Sequence, residues 1–137
     1  MATVKQATIK NTRQLAEANK ESATVLTKGE ILAMTGGYAV AADSGTVKAD
    51  LLGVCNQTIA AAETLTQVPY IVPSDEDIYI FPTTNDTLAT DNGQAMVLTN
   101  SMEVNNTHTT SATGIVQQVA VYGAVTDRLI LGRFITL

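Results

Sequence analysis

Gly36-Gly37, set between Glu30-Ile31-Leu32-Ala33-Met34 and Tyr38-Ala39-Val40-Ala41, constrains the fold of this chain more than any other pair of residues. A two-residue connection between antiparallel strands takes positive backbone angles to match strand twist, and glycine adopts them without steric cost, so a tight hairpin is predicted here. Punctuation of this kind then recurs. Asp43-Ser44-Gly45 reads as a second turn, residues 52–55 as a short buried strand, 58–63 as a small-residue loop and 64–72 as a longer strand. Pro69 has no backbone donor, so the strand holding it is expected at a sheet edge or bulged.

Pro73-Ser74-Asp75-Glu76 turns the chain into Ile78-Tyr79-Ile80-Phe81, which Pro82 closes; residues 94–98 give another strand. Residues 100–113 read as a long polar loop, and loops of that length are commonly functional. Residues 114–122 and 128–135 are predicted to pair antiparallel across the turn at 123–127. About eight short strands with regular turns and almost no helix predict an all-β fold, a small β-barrel, β-tulip-like or sandwich body. The body is expected over 23–137, with a division into packed subdomains near 23–74 and 75–137 left open.

Residues 1–22 lack turn residues and carry few apolar ones. Thr3, Val4, Ala7, Thr8 and Ile9 read as loosely extended, and Leu15-Ala16-Glu17-Ala18-Asn19 as one or two helical turns at most. The segment is expected to be an extended N-terminal arm that orders on contact with a partner or a second subunit. The alternative is an N-terminal strand packed on the chain's own sheet.

Charge separates along the chain. Residues 1–28 carry Lys5, Lys10, Arg13, Lys20 and Lys28 against Glu17 and Glu21, whereas residues 43–127 carry ten acidic residues against Lys48 alone. A phosphate backbone would be repelled by such a body, so no nucleic-acid partner is expected. No apolar run approaches the roughly 18 residues of a membrane span, and the polar start of the sequence does not read as a leader, so no membrane partner is expected and the mature protein is expected to begin near Met1.

Reactive chemistry finds little material. Cys55, the only cysteine, sits in an apolar run and reads as a small buried hydrophobe, and the only histidine, His108, stands in polar sequence. Asp75-Glu76-Asp77 are consecutive and cannot all converge on one cation, and residues 86–93 lack the alternating ligands of a calcium loop. With no Trp, four Tyr and two Phe, the chain is poor in stacking surface, and Tyr70, Tyr79, Phe81, Tyr122 and Phe134 are assigned to the core. Asn56-Gln57-Thr58, Asn85-Asp86-Thr87 and Asn105-Asn106-Thr107 read as chance glycosylation matches. No catalytic residue, cofactor, metal or small-molecule substrate is expected; the chain reads as one that presents a surface.

Tyr38-Ala39-Val40-Ala41-Ala42-Asp43, Ser44-Gly45, Gly53-Val54 and Ile59-Ala60-Ala61-Ala62-Glu63-Thr64-Leu65-Thr66 follow an order of strand, turn, glycine-led strand, small loop and Thr-rich strand. Over residues 34–72 this order resembles the head decoration, or capsid cement, proteins of tailed bacteriophages. Phe81-Pro82-Thr83, Asp91-Asn92-Gly93-Gln94 and Ile130-Leu131-Gly132-Arg133-Phe134 are more loosely similar to larger cement proteins. The resemblance implies a non-enzymatic homotrimer on the outer surface of an expanded head, clamping neighbouring subunits of the major capsid protein. An arm that orders on binding can add a strand to a capsid sheet edge, with Thr3, Val4, Ala7, Thr8 and Ile9 as the strand and Lys5, Lys10 and Arg13 meeting acidic groups. The alternatives are a tail-tube, head-fibre or baseplate subunit, a small trimeric β enzyme of the nucleotide hydrolase type, or an extracellular ligand-binding module.

Overall fold

The computed structural model of the chain describes residues 4–8, 14–21, 24–60, 67–74, 76–109 and 113–135. Eleven strands are seen: β1 (Lys5–Thr8), β2 (Gln14–Asn19), β3 (Ile31–Thr35), β4 (Tyr38–Ala41), β5 (Leu51–Cys55), β6 (Gln67–Val72), β7 (Ile78–Pro82), β8 (Ala95–Leu98), β9 (Val104–Thr109), β10 (Val116–Val121) and β11 (Leu129–Phe134). They form two antiparallel sheets, one in the order β1-β7-β11-β10-β8-β9 and one in the order β2-β6-β5-β3-β4. Neither closes into a barrel. Isolated parallel bridges add one contact within each sheet: Lys20, just past edge strand β2, meets Ala39 of edge strand β4, and Thr83, just past β7, meets Val104 of edge strand β9. The fold is an all-β sandwich.

The glycine hairpin forms as the sequence dictates. Thr35 pairs with Tyr38 across Gly36 and Gly37, whose φ angles are +58° and +84°. β10 and β11 also pair as predicted, with one extra residue, Val119, bulged between the pairs Gln118–Gly132 and Ala120–Leu131.

Sheet membership changes at the turn before β7. Strands β2 to β6 build one sheet and β7 to β11 the other, while β1 alone crosses over to the later strands. The two sheets nevertheless share one core: Ile31, Ala33, Ala42, Val54 and Ile71 from the first half pack with Tyr79, Phe81, Met96, Leu98, Val104, Ile115, Val116, Ile130 and Phe134 from the second. Tyr79, Phe81 and Phe134 form its centre, with ring centroids 5.1–5.9 Å apart and Phe134 edge-on to both neighbours. A smaller cluster of Leu26, Leu32, Cys55, Ile59 and Val68 covers the other face of the N-terminal sheet. Leu26 and Ile59 exchange backbone hydrogen bonds of 3.1 and 2.8 Å and are fully buried. Full burial of each such side chain contributes about 2 kcal/mol, which explains how a loop rich in small residues is tied down.

Three expectations are corrected. The described parts of residues 1–22 follow the alternative reading, strands at the edges of the chain's own sheets, and residues 14–19 are a strand rather than helical turns: β1 pairs with β7, and all six residues of β2 pair with β6. The physical reason is that an edge strand draws on backbone hydrogen bonds, so it needs few apolar side chains of its own. Pro69 lies in a central strand, between β2 and β5. Its carbonyl accepts from Asn56 N–H at 3.0 Å just beyond the paired end of β5, so the missing donor falls where the ladder has already stopped. Finally, residues 104–109 are strand β9 within the supposed long loop. Val104 enters the core, and Asn106, also buried, replaces apolar packing with bonds to Asn85 N–H (3.1 Å), Asn85 O (3.0 Å) and Asp86 O (2.9 Å).

Candidate functional site

Of the residues expected in the arm, Val4 is buried in the shared core and donates its N–H to Gly29 O at 3.3 Å. The backbones of Lys5, Ala7 and Thr8 lie in β1, whereas Thr3, Ile9, Lys10 and Arg13 lie outside the described residues. Four of these eight residues thus fall at or in β1. What the N-terminal segment does expose is the outer side of β2, where Leu15 is 56% accessible.

A concave surface lies on the C-terminal sheet. An open groove of about 840 Å³ is lined by Glu76, Ile78, Gly93, Gln117, Gln118, Val119 and Arg133. Its parts are set by strand register. Gln117 of β10 stands opposite Arg133 of β11, and Arg133 Nε donates to Gln117 Oε1 at 2.7 Å. Gln117 Nε2 in turn donates to Gly93 O at 3.0 Å, and Gly93 N–H donates to Gln118 O at 2.8 Å. Gly93 can close this circuit because it takes φ +87°, which a side chain would strain. The guanidinium is thus held at one nitrogen by a chain of anchored groups.

The bulge completes the groove. Val119 has no partner on β11 and is 43% exposed, which places an apolar side chain at the rim beside the arginine. Bulges re-aim side chains in this way and concentrate near binding sites. Gln118, the neighbouring residue, is buried: its Nε2 donates to Leu88 O at 2.8 Å and Asn92 Oδ1 at 2.9 Å, and its Oε1 has no partner among the described residues.

Of the acidic triplet, Glu76 lines the groove. Asp77 is buried and its carboxylate accepts from Ser74 N–H at 3.3 Å, closing the turn into β7; Glu76 is exposed and Asp75 lies outside the described residues. Among the described residues no group of three or more His, Cys, Asp or Glu could hold a metal ion. Cys55 is 1% exposed, which shields Sγ from any substrate. Burial pushes its thiol above the ordinary value, the backbone at Gln57 pulls it partly back, and the Glu30 charge raises it again. The backbone of His108 lies in β9. Tyr79, Phe81 and Phe134 are core residues as assigned and Tyr70 is half-buried, but Tyr122 is 45% exposed, because β10 has left the shared core by that point.

Glu30 is the sequence's least conspicuous structural residue. It is buried, its Oε1 accepts from Thr27 N–H at 2.7 Å, and its Oε2 accepts from Ser101 Oγ at 2.6 Å. Ile31 N–H also donates to Ser101 O at 2.8 Å. These bonds join the start of β3 to the connection between β8 and β9, and so lock one sheet to the other. Neither Glu30 nor Arg133 stood out in the sequence; the one signal for the groove was Gln117-Gln118 interrupting an otherwise apolar strand.

Comparison with known proteins gives no identification: no family model matches this chain, and no curated protein matches it.

Proposed function

We propose that this protein is a structural virion subunit, a capsid decoration or cement protein that binds the outer surface of an expanded phage head and clamps neighbouring major capsid protein subunits, acting as a homotrimer. The observation that carries this reading is that the stretch resembling decoration proteins is one contiguous piece of the fold. Between residues 34 and 72 the chain runs through the glycine hairpin, β4, β5 and β6, all in one sheet; residues 61–66 of the stretch lie outside the described residues. β2 is an edge strand of this same sheet, and a sheet edge is a place where a partner strand can add. Trimerisation makes second and third attachments effectively intramolecular, so weak single contacts suffice. Preferential binding to the assembled shell stabilises it by mass action.

The test is cosedimentation of the purified chain with expanded heads of the cognate phage, stripped of their own decoration protein. Removal of the first 21 residues would take an edge strand from each sheet, so Leu15→Glu on the exposed side of β2 is the better variant. Saturable binding by the intact chain supports the reading, and loss of binding in the variant places a contact on β2. Absence of binding to competent heads overturns it. Polymerisation of the chain alone would then favour a tail tube.

A further inference from the structure

We propose that the groove between β7, β10 and β11 is a recognition site for a carboxylate side chain carried on an extended protein segment. The acidic body carries two arginines, Arg128 and Arg133, in different settings. Arg128 has its charge satisfied by Asp86 at 3.0 Å, whereas Arg133 makes no ion pair among the described residues and its guanidinium makes a single hydrogen bond there, from Nε. The donor used is the one that turns the guanidinium plane, and the terminal nitrogens are the pair that a carboxylate grips in bidentate fashion. Gln117, itself anchored to Gly93 O, fixes that orientation before a ligand arrives. Part of the arginine's rotamer freedom is thus already lost in the free protein, which favours binding.

The walls decide the ligand class. Ile78 and the bulged Val119 give apolar contacts that a bare inorganic anion cannot use, but aliphatic residues flanking an acidic one can. Glu76 in the same wall disfavours a polyanion such as a nucleic-acid backbone, which would bring phosphates against it. A single carboxylate set between aliphatic side chains meets the first constraint and brings one negative charge, rather than several, near Glu76. The site stands independently of the decoration reading and rests on it only for the partner's identity, a surface segment of the capsid subunit.

The experiment is a titration of the full chain, followed by two-dimensional ¹⁵N–¹H NMR, with the capped tripeptide acetyl-Val-Glu-Val-amide, its Gln counterpart and sodium acetate as probes. The Glu peptide is expected to give saturable shifts at the Gly93, Gln117 and Val119 amides and at the Arg133 Nε–H. The Gln peptide, acetate and the R133Q chain are each expected to bind roughly tenfold more weakly. R133K, which keeps the charge but loses the Nε anchor, is expected to fall between wild type and R133Q. The proposal is overturned by absence of saturable shifts, by shifts centred away from these residues, or by equal affinity in R133Q. Because no capsid enters this titration, its failure leaves the decoration reading standing, and failure to bind heads leaves the groove standing.

Discussion

The C-terminal sheet fills the shared core with Tyr79, Phe81 and Phe134, whereas the N-terminal sheet meets them with Ile31, Ala33, Ala42, Val54 and Ile71. The first sheet is held by ring packing and the second by close backbone approach. Gly53 shows the second mode: it takes φ +156°, and a Cβ there would overlap the carbonyl oxygen of Ile71. Gly132 in the aromatic sheet is crowded mainly by side chains, with Phe81 Cδ2 at 3.0 Å and Val116 Cγ1 at 3.1 Å from where its Cβ would stand, although Gln117 O is also 3.1 Å away. The difference teaches where each half is vulnerable: one to loss of volume, the other to gain of it.

Phe134→Ala should have the largest effect, about 4 kcal/mol, because it empties the centre of the ring cluster. Urea unfolding of a Tyr38→Phe/Tyr70→Phe chain, whose remaining tyrosines lie in or next to the C-terminal sheet, followed by tyrosine fluorescence and by labelling of Cys55, tests how far the sheets are coupled. One shared midpoint is expected, since the core is common; protection of Cys55 after the tyrosine signal is lost would break the comparison by making the sheets independent. Gly53→Ala should follow, at about 3 kcal/mol, with the looser approaches at Gly132, none closer than 3.0 Å, making Gly132→Ala the milder change. Equal losses in the two would show that backbone crowding does not distinguish the halves.

Ser101→Ala tests the lock between them. It leaves Glu30 Oε2 buried without its hydroxyl donor and should cost about 2 kcal/mol, measured as a shift in urea midpoint; an unchanged midpoint would mean that the junction is held by the Ile31 backbone bond alone. Cys55 supplies a pH dependence. Its thiol is raised in the folded chain, so its contribution is complete below an unfolded value of about 8.5 and is lost as pH rises through the folded one. Alkaline solution should weaken the wild type more than Cys55→Ala, read from midpoints at neutral and alkaline pH. Smallest is Arg128→Ala. The pair with Asp86 is 54% and 49% exposed, so its loss should cost only about 0.5 kcal/mol and vanish in high salt.

Much of the fold was legible where a residue type carries its own geometric demand. The glycine pair could only turn, and the apolar-rich segments 114–122 and 128–135, split by a turn, matched two paired strands. β2 and β9 were misread for a common reason. Gln14–Asn19 and Val104–Thr109 have weak side-chain patterns, and their strand character comes from neighbours already in place, β6 for one and β8 for the other. Asn106 is the clearest case, since its polarity suggested a loop while its amide satisfies buried backbone groups in the fold. The groove was less legible still. Arg133, Gln117 and Gly93 are brought together by strand register and by a bulge, neither of which leaves a mark in the local sequence.

The sequence by itself determined the all-β character, the glycine hairpin, the final strand pair and the burial of Cys55, because these follow from backbone freedom and from apolar content that is local. Only the tertiary structure decided that residues near the N-terminus supply an edge to each sheet, that Glu30 locks the sheets through Ser101, and that one arginine is paired while the other faces an open groove. Each of these depends on hydrogen bonds between residues far apart in the chain, whose partners exist only once the sheets have formed.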